Sequence, residues 1–218
     1  MTNAKKCFVF GSAEAVIPSN GVPRNGENLY IAADRGYFSA KALGITPDVI
    51  LGDFDSSPLT EEMQTSGAEI IRHPVEKDDT DLMLAIKTAL ERGFNDIHVI
   101  GCLGGERFDH SIATVQSLAY AAHNGARAYA YGKGEGGAVS VCTVIKDGFL
   151  KLSARKSGNV SILSMTESSA GVTVKGLKYS VTGAILSSFF PLGVSNSFVG
   201  QDALIEVENG TLLVIYDE

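Results

Sequence analysis

Tryptophan is absent from this chain, and cysteine occurs only three times in 218 residues. Cys7, Cys102 and Cys142 are odd in number and far apart. That excludes a disulfide framework and a zinc cluster, and it fits the reduced thiols of a cytoplasmic protein. No apolar run approaches the length of a membrane span, and the opening Met-Thr-Asn-Ala-Lys-Lys-Cys-Phe-Val-Phe has no signal-length apolar stretch. Positive charge is also scarce. Lys and Arg number 18 against 25 Asp and Glu, giving a formal net charge of −7, and the basic residues form no stripe. Non-specific nucleic-acid binding needs a basic surface, so DNA and RNA are excluded as partners. The chain is 44% hydrophobic and 20% charged, ordinary for a soluble globular protein that buries one large core or two small ones. The expectation is a soluble cytoplasmic protein with neither a membrane nor a nucleic-acid partner.

The apolar residues that are present fall into two regimes. Up to about residue 132, short strand-like runs alternate with helical periods. Cys7–Phe10, Leu29–Ala33, Val49–Leu51, Glu69–Arg72, Ile97–Gly101 and Ala126–Tyr131 read as strands. Helices are predicted over Tyr37–Leu43, Leu59–Gly67, the face marked by Leu82, Ala85, Ile86, Ala89 and Leu90, and Ser111–Asn124. This rhythm predicts a mostly parallel, Rossmann-like α/β domain over residues 1–132. Ligands of such sheets sit at the carboxyl ends of the strands. Gly132-Lys-Gly-Glu-Gly-Gly137 reads as a linker. Beyond it Ala138–Ile145, Phe149–Ser153, Val160–Ser164 and Val172–Lys175 are short β-type runs. Ala203–Tyr216 reads as a hairpin turning at Asn209-Gly210. The second expectation is therefore an all-β sandwich over residues 138–218.

Chemistry concentrates where apolar runs end. Gly52-Asp-Phe-Asp-Ser56 carries two carboxylates, Asp53 and Asp55, that an extended segment would point to one side. Asp78, Asp79, Thr80 and Asp81 open a helix, and three aspartates exceed what capping needs. With Asp81 folded alongside Asp53 and Asp55, the set makes a hard-oxygen site suited to Mg²⁺ and substrate phosphates. Turn and cap chemistry accounts for the same residues without a ligand, since Asp-x-Asp-Ser before Pro58 is a good turn and N-cap. Lys77 relieves the acidic repulsion or meets a phosphate. Gly104-Gly105 admits a close backbone approach, Arg107 is a natural phosphate partner, and Asp109 and His110 cap the next helix or meet substrate. Asp34 follows its strand as a turn residue or a ligand to ribose, base or water. The four histidines lack metal-ligand spacing, and neither a Walker loop nor a Gly-x-Ser-x-Gly motif occurs. The resulting class is metal-assisted chemistry on a nucleotide phosphate, without a P-loop.

Taken in order, Asp34-Arg-Gly, Gly52-Asp-Phe-Asp-Ser, Lys77-Asp-Asp-Thr-Asp and Gly104-Gly-Glu-Arg-Phe-Asp-His resemble the thiamine pyrophosphokinase family. Val174-Lys-Gly-Leu-Lys-Tyr179, Gly193-Val-Ser-Asn196 and Gly210-Thr-Leu-Leu-Val-Ile215 resemble the family's thiamine-binding β domain, so the likeness runs along nearly the whole chain. It implies transfer of the pyrophosphoryl group of ATP to the thiamine hydroxyl, giving thiamine diphosphate and AMP. By the family pattern Asp53, Asp55 and Asp81 hold Mg²⁺. Asp34, Ser56, Lys77, Asp78, Thr80, Gly104, Gly105, Arg107 and Asp109 form the ATP site, and Ser195 and Asn196 contact thiamine. Asp53, Asp55, Asp81 and Arg107 are the implied catalytic set. The resemblance also implies a homodimer with active sites between the α/β domain of one subunit and the β domain of the other. The chain departs from the pattern at Arg35, Glu106, Thr114 and Ser180. None of these removes an implied metal ligand.

In the implied reaction the thiamine alcohol attacks the β-phosphorus and AMP leaves, so catalysis is mostly positioning and electrostatics. Two other functions fit the acidic motifs. One is a pyrophosphokinase acting on another heteroaromatic alcohol, such as a hydroxymethylpterin. The other is a non-catalytic nucleotide or thiamine sensor on the same scaffold.

Overall fold

Strands that are apolar at every position need cover on both faces, and that requirement organises the first half of the chain. The computed structural model describes residues 5–55, 58–76 and 78–218, and the chain divides into two units, Met1–Lys133 and Gly134–Glu218. In the first, β1 (Cys7–Phe10), β2 (Leu29–Ala33), β3 (Val49–Gly52) and β5 (Asp96–Ile100) are buried throughout. β4 (Glu69–Arg72) is only half-buried, as an edge strand should be, and β6 (Arg127–Lys133) forms the opposite end of the series. Their order is β6-β5-β1-β2-β3-β4, and each adjacent pair is parallel.

Four helices follow four of these strands: α1 (Gly36–Ala42), α2 (Glu61–Thr65), α3 (Asp81–Glu91) and α4 (Phe108–His123). Thr80 starts α3 as the sequence predicts, its Oγ1 accepting the Met83 N–H at 3.1 Å. Ala85, Ile86 and Ala89 of that helix are fully buried. The helix expected over Leu59–Gly67 shortens to five residues, and α4 begins three residues before Ser111. The chain moves outward from β1 through β2 and β3 to β4, then returns to the other side of β1 with β5. The strand order therefore reverses between β1 and β5, and a crevice opens there beyond the carboxyl ends of the strands.

Glycine makes the close approaches at that edge possible. A Cβ on Gly36, the first residue of α1, would lie 1.8 Å from the Phe10 carbonyl oxygen. A Cβ on Gly11 would lie 2.3 Å from the Cys102 sulfur. The two loops are also stitched together, with Gly11 N–H donating to Ile100 C=O and Ala13 N–H to Gly101 C=O, both at 2.8 Å.

The second unit is antiparallel throughout: β7 (Val139–Leu152), β8 (Asn159–Ser164), β9 (Ser168–Lys175), β10 (Val181–Ser187), β11 (Asn196–Ser197) and β12 (Ala203–Asp217). Its core includes Ile162, Val172, Ile205, Leu212 and Val214. Two expectations fail here for one reason. The predicted terminal hairpin is the single 15-residue strand β12, and the two runs split at Asp147-Gly148 are the single strand β7. Val207 pairs with Gly148 and Thr211 with Lys146, so Asn209-Gly210 lies in a bulge rather than a reversal. Asp147, at φ 44°, accepts the Gly210 N–H at 2.8 Å across the bulge. Before it β12 pairs with β9, and after it with β8. Asn-Gly here bends a strand between two sets of partners instead of folding it back on itself.

Candidate functional site

The reversal between β1 and β5 positions a cleft of about 630 Å³, within the range of small-molecule sites. It is lined from five directions: by Gly11–Ala13 after β1, Asp34 after β2, Asp53 and Asp55 after β3, Thr80 and Asp81 at the start of α3, and Gly101, Cys102 and Gly104–Arg107 leading into α4. Segments widely separated in sequence thus converge on one acidic hollow.

Of the two readings of the Asp53/Asp55 pair, extended segment or turn, the structure shows the turn. Phe54 is not extended but left-handed at φ 58°, and its ring is buried with Ala32, Tyr37, Ile50 and Met63. The guanidinium of Arg72 lies over that ring at 5.6 Å. Phe54 anchors the loop from below, and Asp53 Oδ1 accepts the Asp55 N–H at 3.2 Å in an Asx turn. Both carboxylates reach the cleft because the residue between them is driven into the core.

Asp34 has the most unusual environment. It sits at φ 49°, its N–H is bound by Leu51 C=O at 2.7 Å, and its Oδ1 is buried without a hydrogen-bond partner among the described residues. Burial holds its pKa above the ordinary value, and the charges of Asp81, Asp53 and Asp55 raise it further. A half-buried carboxylate with one oxygen sealed from solvent, near three others, is a place where a cation or a hydrogen-bond donor is favoured. Among the described residues no three His, Cys, Asp or Glu side chains stand close enough to hold a metal ion by themselves. That donor set fits Mg²⁺, which takes one or two carboxylates and completes its shell with water and substrate phosphates.

A stability consequence follows. A carboxyl whose folded-state pKa exceeds the unfolded value contributes most to stability at low pH, and that contribution falls as pH rises through the two values. Asp34→Asn removes the fall, and asparagine tolerates φ 49° well. The variant is expected to melt roughly 2 °C or more above the parent at pH 7, with the gap closing below about pH 4. Equal midpoints at pH 7 would contradict the electrostatic account.

Arg107 also lines the cleft, directly before α4. Its Nε and Nη2 donate to Asp109 at 2.9 and 2.6 Å, which holds the Asp109 carboxyl at about 2 and leaves Nη1 for an anion. Asp109 therefore orients the guanidinium and is not part of the cleft lining, nor is the exposed Asp78. Ser56 and Lys77 lie outside the described residues. Gly104 and Gly105 are both left-handed, at φ 80° and 79°, conformations that glycine takes without cost.

Sequence reasoning missed Gly11, Ser12, Ala13, Cys102 and Thr114 as cleft residues. Their signal was positional, a Gly ending each of two apolar runs. The Cys102 thiol, pushed up to about 12 by burial, is not a nucleophile at neutral pH.

Ser195 and Asn196 belong to the second unit. Ser195 is exposed at φ 62°, a strained conformation for a non-glycine residue. Asn196 is buried, and its amide is engaged on both sides: Oδ1 accepts the Tyr179 N–H at 2.9 Å, and Nδ2 donates to Tyr179 C=O at 2.7 Å. The Asn196 side chain fixes the Gly-Leu-Lys-Tyr segment.

The model of the thiamin pyrophosphokinase catalytic domain matches residues 24–130, and that of the vitamin B1 binding domain of the same family matches residues 150–212. Thiamine pyrophosphokinase of Bacillus subtilis is 26% identical over 219 residues, covering 95% of this chain and 96% of its own length. The crystal structure of thiamine pyrophosphokinase from Bacillus subtilis matches with a TM-score of 0.79 at 23% identity, over 98% of this chain and 99% of that one. The enzyme from Geobacillus thermodenitrificans matches with a TM-score of 0.78 at 24% identity, over 98% and 97%. Candida albicans thiamin pyrophosphokinase matches at 0.73 and 14% identity, over 98% and 89%. At these identities the structures speak for a mixed α/β fold with a large sheet. With both domain models of one family matched in order, over more than three quarters of its length, the chain belongs to the thiamin pyrophosphokinase family.

Proposed function

We propose that the protein transfers the pyrophosphoryl group of ATP to the hydroxyl of thiamine, releasing AMP and thiamine diphosphate. The observation that carries this reading is the matching of catalytic and vitamin-binding domains of one family on a chain whose first unit holds an acid-lined cleft. On this reading the first unit is a Rossmann-like ATP domain and the second a β-sandwich that takes thiamine, with Ser195 and Asn196 at its site. The protein works in the cytoplasm, consistent with three unpaired cysteines. Among the described residues no helix is long and apolar enough to cross a membrane.

Asp53, Asp55 and Asp81 would hold Mg²⁺ together with water and the substrate phosphates, not as a closed cage. When bound, the ion would supply charge neutralisation on the substrate's phosphate chain. The chain's own residues do the rest. The Gly104-Gly105 segment lets the phosphate chain lie against backbone, and Thr80 lines the same cleft; by the family pattern Ser56, Lys77 and Asp78 also belong to the ATP site. Arg107, held by Asp109, directs Nη1 to oxygens that gain charge as the bond to AMP breaks. Asp34 faces the nucleotide. The alcohol proton passes to a carboxylate of the cleft or to water.

A homodimer completes this reading, with each active site shared between subunits. It is supported by an apolar surface on and after β10, where Ile185, Phe189, Phe190 and Leu192 are 63–80% exposed. Exposed apolar side chains grouped in this way are what a subunit interface would cover. Light scattering should return twice the 23.0 kDa chain mass, and a monomer would overturn the assembly.

The substrate is tested by offering thiamine and a hydroxymethylpterin in parallel with Mg-ATP and separating the products by chromatography. Thiamine diphosphate from the first and no pyrophosphorylated pterin from the second is the expected result. The reverse would replace the acceptor.

A further inference from the structure

We propose that Ser111 and Thr114 are positioning residues that set the β5–α4 loop in the shape that receives the nucleotide's phosphates, an inference that rests on reading the cleft as the ATP site. The loop poses a physical problem. Gly101, Gly104 and Gly105 adopt φ of 70°, 80° and 79°, and a segment so rich in glycine has many conformations of similar energy. Its near end is fixed by Ala13 N–H donating to Gly101 C=O at 2.8 Å. The residues beyond Gly101 need further anchors before they can present a fixed surface to an anion.

Two hydroxyls on α4 supply that anchor. Residues three apart stand one above the other on a helix, and Ser111 and Thr114 are so spaced. The Thr114 hydroxyl lies 2.7 Å from Cys102 C=O and 2.9 Å from His110 C=O, so its proton is shared between the loop and its own helix. The residue is 2% exposed, and water does not compete for that bond. Ser111 Oγ accepts the Gly104 N–H at 3.0 Å. One hydroxyl thus donates to the loop and the other accepts from it, two residues apart along the loop. With the Gly104 N–H engaged, the neighbouring Gly105 N–H, which has no hydrogen-bond partner among the described residues, is left to face an anion.

The test measures Mg-ATP binding by calorimetry and the two KM values for wild type, Ser111→Ala, Thr114→Val and Thr114→Ser. Removing either hydroxyl is expected to weaken Mg-ATP binding about tenfold and raise the KM for ATP, with the KM for thiamine unchanged. Thr114→Ser is expected to bind as wild type does. Ser111 is only half-buried, so Ser111→Ala keeps the test open should Thr114→Val fold poorly. Unchanged Mg-ATP affinity in folded Ser111→Ala overturns the proposal, as does a Thr114→Ser as weak as Thr114→Val. Binding is read without turnover, so a wild type that binds Mg-ATP but leaves thiamine untouched would sink the function and not the loop anchor. A wild type that does not bind Mg-ATP overturns both.

Discussion

Replacing Asp53 or Asp81 by asparagine is expected to reduce turnover on the order of 10³-fold or more, with the fold intact. The magnitude follows from what phosphoryl transfer requires of a protein. There is little covalent chemistry to supply, and nearly all the acceleration is charge placed where the phosphate chain sits. Asparagine keeps the shape and loses the charge. It also removes one of the like charges crowding Asp34, so the variants should stay folded at the assay temperature. Steady-state AMP release and a thermal melt, run on the same preparations, test both halves. Wild-type turnover in either variant would remove these carboxylates from the mechanism. Loss of turnover with a collapsed melt would make them structural.

Gly36→Ala is expected to destabilise the protein by about 3 kcal/mol, or roughly 10 °C in melting temperature for a chain of this size. The added methyl would stand 1.8 Å from the Phe10 carbonyl oxygen and 2.5 Å from its carbon. These are backbone atoms of a fully buried strand, and no side chain can rotate away. Relief must come from moving α1, whose Ser39 hydroxyl donates to Gly11 C=O at 3.0 Å, so the cleft edge moves too and activity should fall along with stability. Gly26→Ala is the control, since a Cβ there meets nothing within 4 Å. Equal melting temperatures for the two variants would show that α1 shifts without cost.

How much of this was legible in the sequence depends on which force set each feature. The parallel strands were, because burial on both faces demands uninterrupted apolar runs such as Cys7–Phe10 and Val49–Leu51. The convergence of Asp34, Asp53, Asp55 and Asp81 was anticipated from their places after strands or before a helix. The manner of presentation was left open between an extended segment and a turn, and burial of the Phe54 ring decides for the turn. The hairpin failed because Asn209-Gly210 is equally at home in a turn and in a bulge. Only the strands beside β12 decide between them, and they are distant in sequence. Gly11 went unrecognised as a cleft residue because its contribution is the absence of a side chain. Asn196 reads as a ligand residue on motif grounds, while its amide is committed to the backbone of Tyr179, seventeen positions earlier.

The central claim is the transfer of two phosphoryl groups as one unit, and a ³¹P NMR time course with ATP, Mg²⁺ and thiamine tests it most directly. The account predicts that AMP and thiamine diphosphate appear together in equal amounts, with no ADP, and that EDTA stops both. Accumulation of ADP with thiamine monophosphate would mean attack at the γ-phosphorus, and would contradict it.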